Sequence, residues 1–439
     1  MSSSRIYKNR DLYLKKLIAF QDTEPVKVIT GIRRCGKSSL LKLMIQHLLD
    51  SGVSAEQIVE MNFESHEYRG LTSDGLYNYI KAMTDPGKHM YLFFDEIQRV
   101  PAWEEAVNSF RVDLDCDIYI TGSNAYLLSS EYATYLSGRC VEIKLFPLSF
   151  REFLYFHGFL LRETASSLGG MKKQAVDRKG DSYDLREVFD AYLRFGGMPG
   201  IADVGLDQER ALTLLDGIYS TVVVRDILER EKRRGQRQIT DPILLRKIIL
   251  FLADNIGCTV SANSIGNTLV NEGLLEGDSR KNAPSVHTVQ AYVEALQESY
   301  IFYEVKRFDI KGKEYLRTLG KYYIADIGLR NYLLGFRDRD SGHVLENIVY
   351  FELLRRGYDV AIGKIDNAEI DFIAANADEK IYIQVTESMT NEDVRKRELA
   401  PLQKVRDNYE KTVLSLDPGL ETNYEGIRVI NLIDWLLAE

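Results

Sequence analysis

The sequence predicts an α/β protein: a parallel-sheet core in its amino-terminal third, then a helical stretch, a helix-and-hairpin module and a second, smaller α/β domain at the carboxyl end. Three observations carry this. From residue 26 to about residue 145, short apolar β-prone runs alternate with helical stretches, the order that makes a parallel sheet covered by helices. Between residues 241 and 326, three helical patterns precede two strand patterns joined by a Gly-containing turn. From His343 onward the order is helix, three strands, helix and two more strands.

A chain of 439 residues holds roughly two to four domains at about 100 to 200 residues each. Hydrophobic residues at 45% and charged residues at 28% are ordinary globular usage. No run approaches the roughly 18 consecutive apolar residues of a spanning helix, and the polar start MSSSRIYKNRDLYLKK lacks a signal-peptide core, so a cytoplasmic protein with no membrane partner is expected. Cys35, Cys116, Cys140 and Cys258 are far apart and form no CxxC pair, which points to reduced thiols. A net charge of -9 argues against non-specific coating of nucleic acid and leaves only a local basic face for such binding.

In chain order, strands are expected over 26–30, 58–63, 90–94, 118–121 and 141–145, within a first domain spanning 1–149. A helical region, 150–240, follows, interrupted by the polar, Gly-containing stretch 164–184, which reads as a flexible insertion. Over 241–342, Ser261 is a candidate N-cap and Val286, Val289, Val293 and Leu296 form one face of the third helix. Strands 301–308 and 314–318, joined around Lys311, Gly312 and Lys313, complete a winged-helix reading. The last domain, 343–439, has strands over 358–362, 369–374 and 380–386.

The run VITGIRRCGKSSLLKLM carries the strongest chemistry: Gly31, four residues, Gly36, Lys37 and Ser38, following a strand and opening a helix. This is a P-loop, in which the backbone N–H groups of Gly31, Ile32, Arg33, Arg34, Cys35, Gly36, Lys37, Ser38 and Ser39 wrap phosphates at a helix N-terminus. Lys37 reaches the β and γ phosphates and Ser38 binds Mg²⁺. The apolar strand MYLFF ends in Asp95, a second magnesium-side oxygen, and Glu96, which orients the attacking water. The next strand, DIYITGSN, ends in Ser123 and Asn124; Asn124 is either a γ-phosphate sensor or a polar turn residue. No guanine-reading sequence is present, so ATP is the expected nucleotide.

GIRRCGKSSLL, FFDEIQRVPAWEEAV, TGSNAYLLSSEYATYLSGR and LFPLSFREFL together resemble the prokaryotic AAA-superfamily ATPases that carry a C-terminal domain of unknown function. The resemblance runs through nearly the whole chain. It implies an AAA-type core with a helical lid, and it implies for Arg139, just before the fifth strand, a role on a neighbour's nucleotide and hence a homo-oligomer. A local pairing of Arg139, or a role within its own subunit, is the alternative. Arg33 and Arg34 also match the family pattern, without a role being assigned to either.

RFGGMPGIA, from Gly196 to Gly200, is a sharp turn by composition. RDILEREKRRGQRQ and the wing segment VKRFDIKGKEYLRTLGK are locally basic, the latter with Phe308 and Tyr315 interleaved, which suits phosphate contact and stacking to DNA or RNA or, equally, a solvated face. The last domain resembles the restriction-endonuclease-like fold, with Glu346 on its helix and Asp371 in EIDFIA, but Gln384 and Thr386 stand where that fold's metal-binding glutamate and lysine are expected. Nuclease activity is therefore not expected. The function expected is Mg²⁺-dependent ATP hydrolysis driving a conformational switch, with nucleic acid as partner; a nucleotide-gated protein-interaction scaffold is the alternative, and an ATP-coupled nuclease the third.

Overall fold

The computed structural model describes residues 7–123, 125, 138–165, 171–221, 227–228, 239, 241–271, 284–316, 319–337, 341–418 and 422–438. The chain divides into two compact units, residues 1–147 with Glu298–Tyr300, and residues 148–297 with 301–439.

The first unit is built on a five-stranded parallel sheet in the order β2-β3-β4-β1-β5. Its strands are β1 Val26–Thr30, β2 Ile58–Asn62, β3 Met90–Asp95, β4 Cys116–Gly122 and β5 Cys140–Lys144, each close to the run the sequence indicates. β1 and β3 are buried along their whole length, which is why they read as near-continuous apolar runs. Lys27 interrupts that pattern: it is fully buried, and its ammonium pairs with Asp117 on neighbouring β4 and donates to the Thr23 carbonyl at 2.7 Å. The helices are α1 Asp11–Ile18, α2 Lys37–Asp50, α3 Ser73–Met83 and α4 Trp103–Asp113. On α4 the i, i+3, i+4, i+7 spacing of Trp103, Ala106, Val107 and Phe110 places all four in the core against Leu92, Phe94 and Ile120. Each large side chain buried there stabilises by about 1.5–3 kcal/mol.

The second unit begins with α5 Phe150–His157, opened by a capping box between Ser149 and Glu152 and closed by left-handed Gly158. The stretch read as a flexible insertion is instead an antiparallel three-stranded sheet, β6 Leu160–Ala165, β7 Met171–Val176 and β8 Ser182–Asp184. Its strands satisfy one another's backbones in register, and Ala175 and Val176 at the end of β7 are buried. α6 Leu185–Phe195 and α7 Gln208–Ser220 follow.

The Gly-rich turn after α6 has a packing reason. A Cβ on Gly197 would lie 2.4 Å from the Leu148 carbonyl oxygen, and one on Gly196 would lie 2.4 Å from Asp326 Oδ1. Asp326 caps α11 Ile327–Leu334 by accepting from Leu329 N–H at 2.9 Å and also accepts from Gly197 N–H at 2.6 Å.

Next come α8 Pro242–Asp254, β9 Thr259–Val260, α9 Ala262–Asn271, α10 Val286–Glu298, β10 Phe302–Val305 and β13 Gly320–Ile324, with a β10-β13-β9 sheet. Ser261 does cap α9, its hydroxyl accepting from Ser264 N–H at 3.0 Å. Val289, Val293 and Leu296 are buried as expected, while Val286, at the open first position of α10, is exposed.

The hairpin drawn as the wing departs from expectation. β11 Arg307–Asp309 and β12 Glu314–Tyr315 do pair, but β11 also runs parallel to β14 Asp359–Ile365, so the hairpin edges the C-terminal sheet. Phe308 and Ile310 pack with the cluster of Ile365, Ile370 and Tyr382, which draws the hairpin there. That sheet has eight strands, β12-β11-β14-β15-β16-β17-β19-β18, with β15 Ala368–Ala375, β16 Lys380–Thr386, β17 Glu410–Ser415, β18 Thr422–Tyr424 and β19 Ile427–Asn431. It carries α12 Ser341–Arg355, α13 Glu392–Gln403 and α14 Leu432–Leu437. Three strands rather than two follow α13. Among the described residues, no helix is long and apolar enough to cross a membrane.

Candidate nucleotide site

β4 lies between β1 and β3, and all three run parallel, so the loops leaving their carboxyl ends emerge on one edge of the sheet. Strands about 4.8 Å apart bring the P-loop after β1, Asp95 and Glu96 at the end of β3 and Ser123 after β4 to the same rim. Gly31 has φ +143, and a Cβ there would lie 2.1 Å from the Leu145 carbonyl oxygen, so only glycine fits. Gly36 caps α2 at φ 108 with no side-chain hydrogen bond, leaving the N–H groups of the first turn available to an anion. Lys37, the first residue of α2, is buried and donates to the carbonyls of Gly31 at 2.9 Å and Ile32 at 3.1 Å.

Ser38 is exposed at the next position and Ser39 is half-buried. Cys35 is buried beneath the loop, and burial pushes its thiol up. Arg34 is exposed in a left-handed conformation. Arg33 reaches Glu64 Oε1 at 2.6 Å, which Arg99 also contacts at 3.0 Å.

The two carboxylates are held by a network the motif does not announce. Asp95 Oδ2 accepts from Asn62 Nδ2 at 2.9 Å and Oδ1 from Thr121 Oγ1 at 2.5 Å. Thr121 Oγ1 in turn accepts from Glu96 N–H at 3.0 Å. Glu96 is buried and has φ 55, a left-handed backbone that costs a non-glycine residue about 1–2 kcal/mol. Its Oε2 accepts from Gln98 Nε2 at 2.6 Å and Ser123 Oγ at 3.2 Å. The Ser38 hydroxyl and the oriented Asp95 carboxylate are hard oxygen donors and fit Mg²⁺.

Asn124 lies outside the described residues, as does the basic run at 229–238. Arg139 is not brought to this site: its carbonyl accepts from Val26 N–H, at the amino end of β1, and its exposed guanidinium donates to Asn108 Oδ1 at 3.2 Å. It stands at the amino end of β1, away from the P-loop, and its contact with Asn108 is a local one. Asn62, Thr121 and Gln98 were missed by sequence reading, as was Arg10, which is buried and donates to the carbonyls of Cys35 at 3.1 Å and Phe146 at 2.9 Å. For Asn62, Thr121 and Gln98 the signal is positional only, a polar residue at a strand end or just beyond one, and Arg10 stands at the N-cap position of α1.

The C-terminal domain collects a second group of charges. Glu346 accepts from Tyr323 at 3.0 Å and lies 3.4 Å from Lys321, which also pairs with Glu369 at 2.7 Å. Burial opposes the charge on Lys321, but Glu346, Asp371 and Glu369 outweigh it and hold the ammonium above its usual range. Burial, then the Glu346 charge, pushes Asp371 well up. Hydrogen bonds that the protonated His343 ring donates to Cys258 and Glu346 raise it to about 10. The amide of Gln384 is committed at both ends, accepting from Asp371 N–H at 2.9 Å and donating to Glu398 at 3.0 Å. Among the described residues, no three His, Cys, Asp or Glu side chains form a group able to hold a metal ion.

An AAA domain model matches residues 23–154, and a model for a domain of unknown function matches 186–340. An uncharacterized protein of Haemophilus influenzae is 39% identical over 431 residues, covering 98% of each chain. One of Methanocaldococcus jannaschii is 30% identical over 404 residues, covering 90% of this chain and 81% of its own. Among solved structures, a Walker-type ATPase of Pyrococcus abyssi aligns with a TM-score of 0.46 and 17% identity, over 75% of this chain and 96% of its own. Residues 23–154 thus match an AAA domain, and the chain as a whole belongs to the family of these Haemophilus and Methanocaldococcus proteins.

Proposed function

We propose that the protein binds ATP with Mg²⁺ through residues 31–39 and hydrolyses it, using Glu96 to orient and deprotonate the attacking water. The observation that supports this most is the state of the carboxylate pair at the rim. Asp95 and Glu96 are both buried, Asp95 with both oxygens and Glu96 with one held by neighbouring side chains, beside a loop whose backbone N–H groups and Lys37 suit a triphosphate. When bound, Mg²⁺ would be held by Ser38 and Asp95 and would neutralise charge on the phosphates. Lys37 exchanges two carbonyl partners for phosphate oxygens, and Glu96 takes a proton from water.

Arg139 is proposed to serve a second copy of the chain, since it faces away from its own P-loop. Nucleic acid is proposed as the partner, on the helix-strand-helix-helix-strand order of residues 242–305. Hydrolysis driving a switch is the proposed output.

The test compares Lys37→Ala, expected to lose ATP binding, with Glu96→Gln, expected to keep binding and to lose hydrolysis by at least about 100-fold. Both are run with and without DNA and RNA. Equal turnover in the wild type and the Glu96 variant refutes the assignment, and a rate indifferent to nucleic acid refutes that partner.

A further inference from the structure

Gln98 lies two residues beyond Glu96 in the short turn Ile97–Arg99, and no motif accounts for it. Its Nε2 donates to Glu96 Oε2 at 2.6 Å. The amide cannot be turned over, because a carboxylate only accepts and would meet the amide oxygen lone pair to lone pair. That orientation leaves Gln98 Oε1 buried with no hydrogen-bond partner among the described residues. A buried acceptor left unpaired is costly, and such a group in a native site calls for a reason. Ser123 donates to the same Glu96 oxygen, so among the described residues both side-chain donors to this carboxylate fall on Oε2.

Resting on the ATPase reading above, we propose that Gln98 is a second water-positioning residue of the hydrolytic step. Its N–H fixes the Glu96 carboxylate so that Oε1 faces the water, and its own Oε1 accepts from that water's other O–H. The water oxygen bonds to the γ-phosphorus, and one of its protons passes to Glu96. The bond from that phosphorus to the β–γ bridging oxygen breaks, with its electron pair leaving on ADP.

The experiment measures steady-state and single-turnover ATP hydrolysis, with binding of a fluorescent ATP analogue read separately, for wild type, Gln98→Ala and Gln98→Glu. The glutamate variant keeps shape and volume but replaces the donor with a carboxylate facing Glu96. Both variants are expected to bind the analogue as the wild type does and to lose about 10- to 100-fold in kcat. The contact made through Glu96 is lost once Glu96 is gone, so in the Glu96→Gln background Gln98→Ala is expected to lose clearly less than it does in the wild-type background, only the direct contact of Gln98 Oε1 to the water remaining. A Gln98→Ala protein that turns over as fast as wild type, or faster, overturns the proposal, as does a full additional loss in the Glu96→Gln background. A wild-type control that binds ATP and never hydrolyses it instead removes the ATPase reading, and is distinguishable because no Gln98 variant is needed to see it.

Discussion

Thr121→Val is the sharpest test of how the carboxylate pair is held. Valine has nearly the shape of threonine, so packing in the fully buried site survives and only the hydroxyl is lost. That hydroxyl makes two bonds at once, donating to Asp95 Oδ1 at 2.5 Å and accepting from Glu96 N–H at 3.0 Å. A hydrogen bond to a charged group contributes about 1.5–3 kcal/mol, and a buried N–H left without a partner costs about 1–3 kcal/mol. The variant should therefore lose about 2.5–6 kcal/mol, a large share of a typical 5–15 kcal/mol stability. Glu96 would also lose the anchor of its left-handed backbone, so ATP turnover should fall by at least about 10-fold. Thr121→Ser removes a methyl but keeps the hydroxyl and should cost only about 1 kcal/mol, with turnover largely kept. Urea unfolding followed by fluorescence, alongside ATP turnover, measures both. The reasoning fails if valine matches the wild type, or if serine is the more damaging change.

Three further outcomes are expected. Asp117→Ala strands the buried Lys27 ammonium and should cost about 3–5 kcal/mol in urea unfolding, whereas the paired change Lys27→Met with Asp117→Leu should cost far less. Burial raises Asp326 to about 6, above its unfolded value of about 3.9, so its contribution is full below about pH 4 and is lost as pH rises through 6. The wild type should accordingly lose about 3 kcal/mol relative to Asp326→Asn between about pH 4 and 7, and parallel curves would contradict that sign. The C-terminal domain is expected to cut neither plasmid nor branched nor single-stranded substrates in Mg²⁺ or Mn²⁺, with or without ATP, since neutral Gln384, its amide engaged by Asp371 N–H and Glu398, brings no charge to a metal and Thr386 no cation to the scissile phosphate. Cleavage that disappears in Asp371→Ala would refute this.

Much of the first unit was legible because its signals are local. A buried parallel strand must be an apolar run and a phosphate loop must place glycine where the backbone crowds, so residues 26–30 and Gly31 declare themselves in the sequence. The support of the site was not legible in the same way. Asn62, Thr121 and Gln98 come from three different segments and meet only because β2, β3 and β4 are adjacent in the sheet. A polar residue at a strand end is common, and nothing in its own neighbourhood says which carboxylate it will hold.

The C-terminal half shows the same limit in a stronger form. Thr386 stands where the resemblance expects a lysine, and a cation from a different element, Lys321 of β13, lies between Glu346 and Glu369. The position is set by tertiary packing, since β13 carries Lys321 and Tyr323 on one face and both reach Glu346 of α12. The misplaced hairpin has a related cause. Residues 307–315 have the alternation and the turn of a wing, and local rules alone cannot say which sheet they join. Phe308 and Ile310 decide it by finding an apolar partner surface on the eight-stranded sheet. The basic residues of that hairpin therefore belong to the C-terminal domain, where Lys311 pairs with Asp366 at 2.6 Å and Lys380 lies over the Phe308 ring. A nucleic-acid role for Lys306, Lys311 or Lys313 must then be sought on the sheet edge of that domain, separately from the three-helix module that the sequence had joined to it.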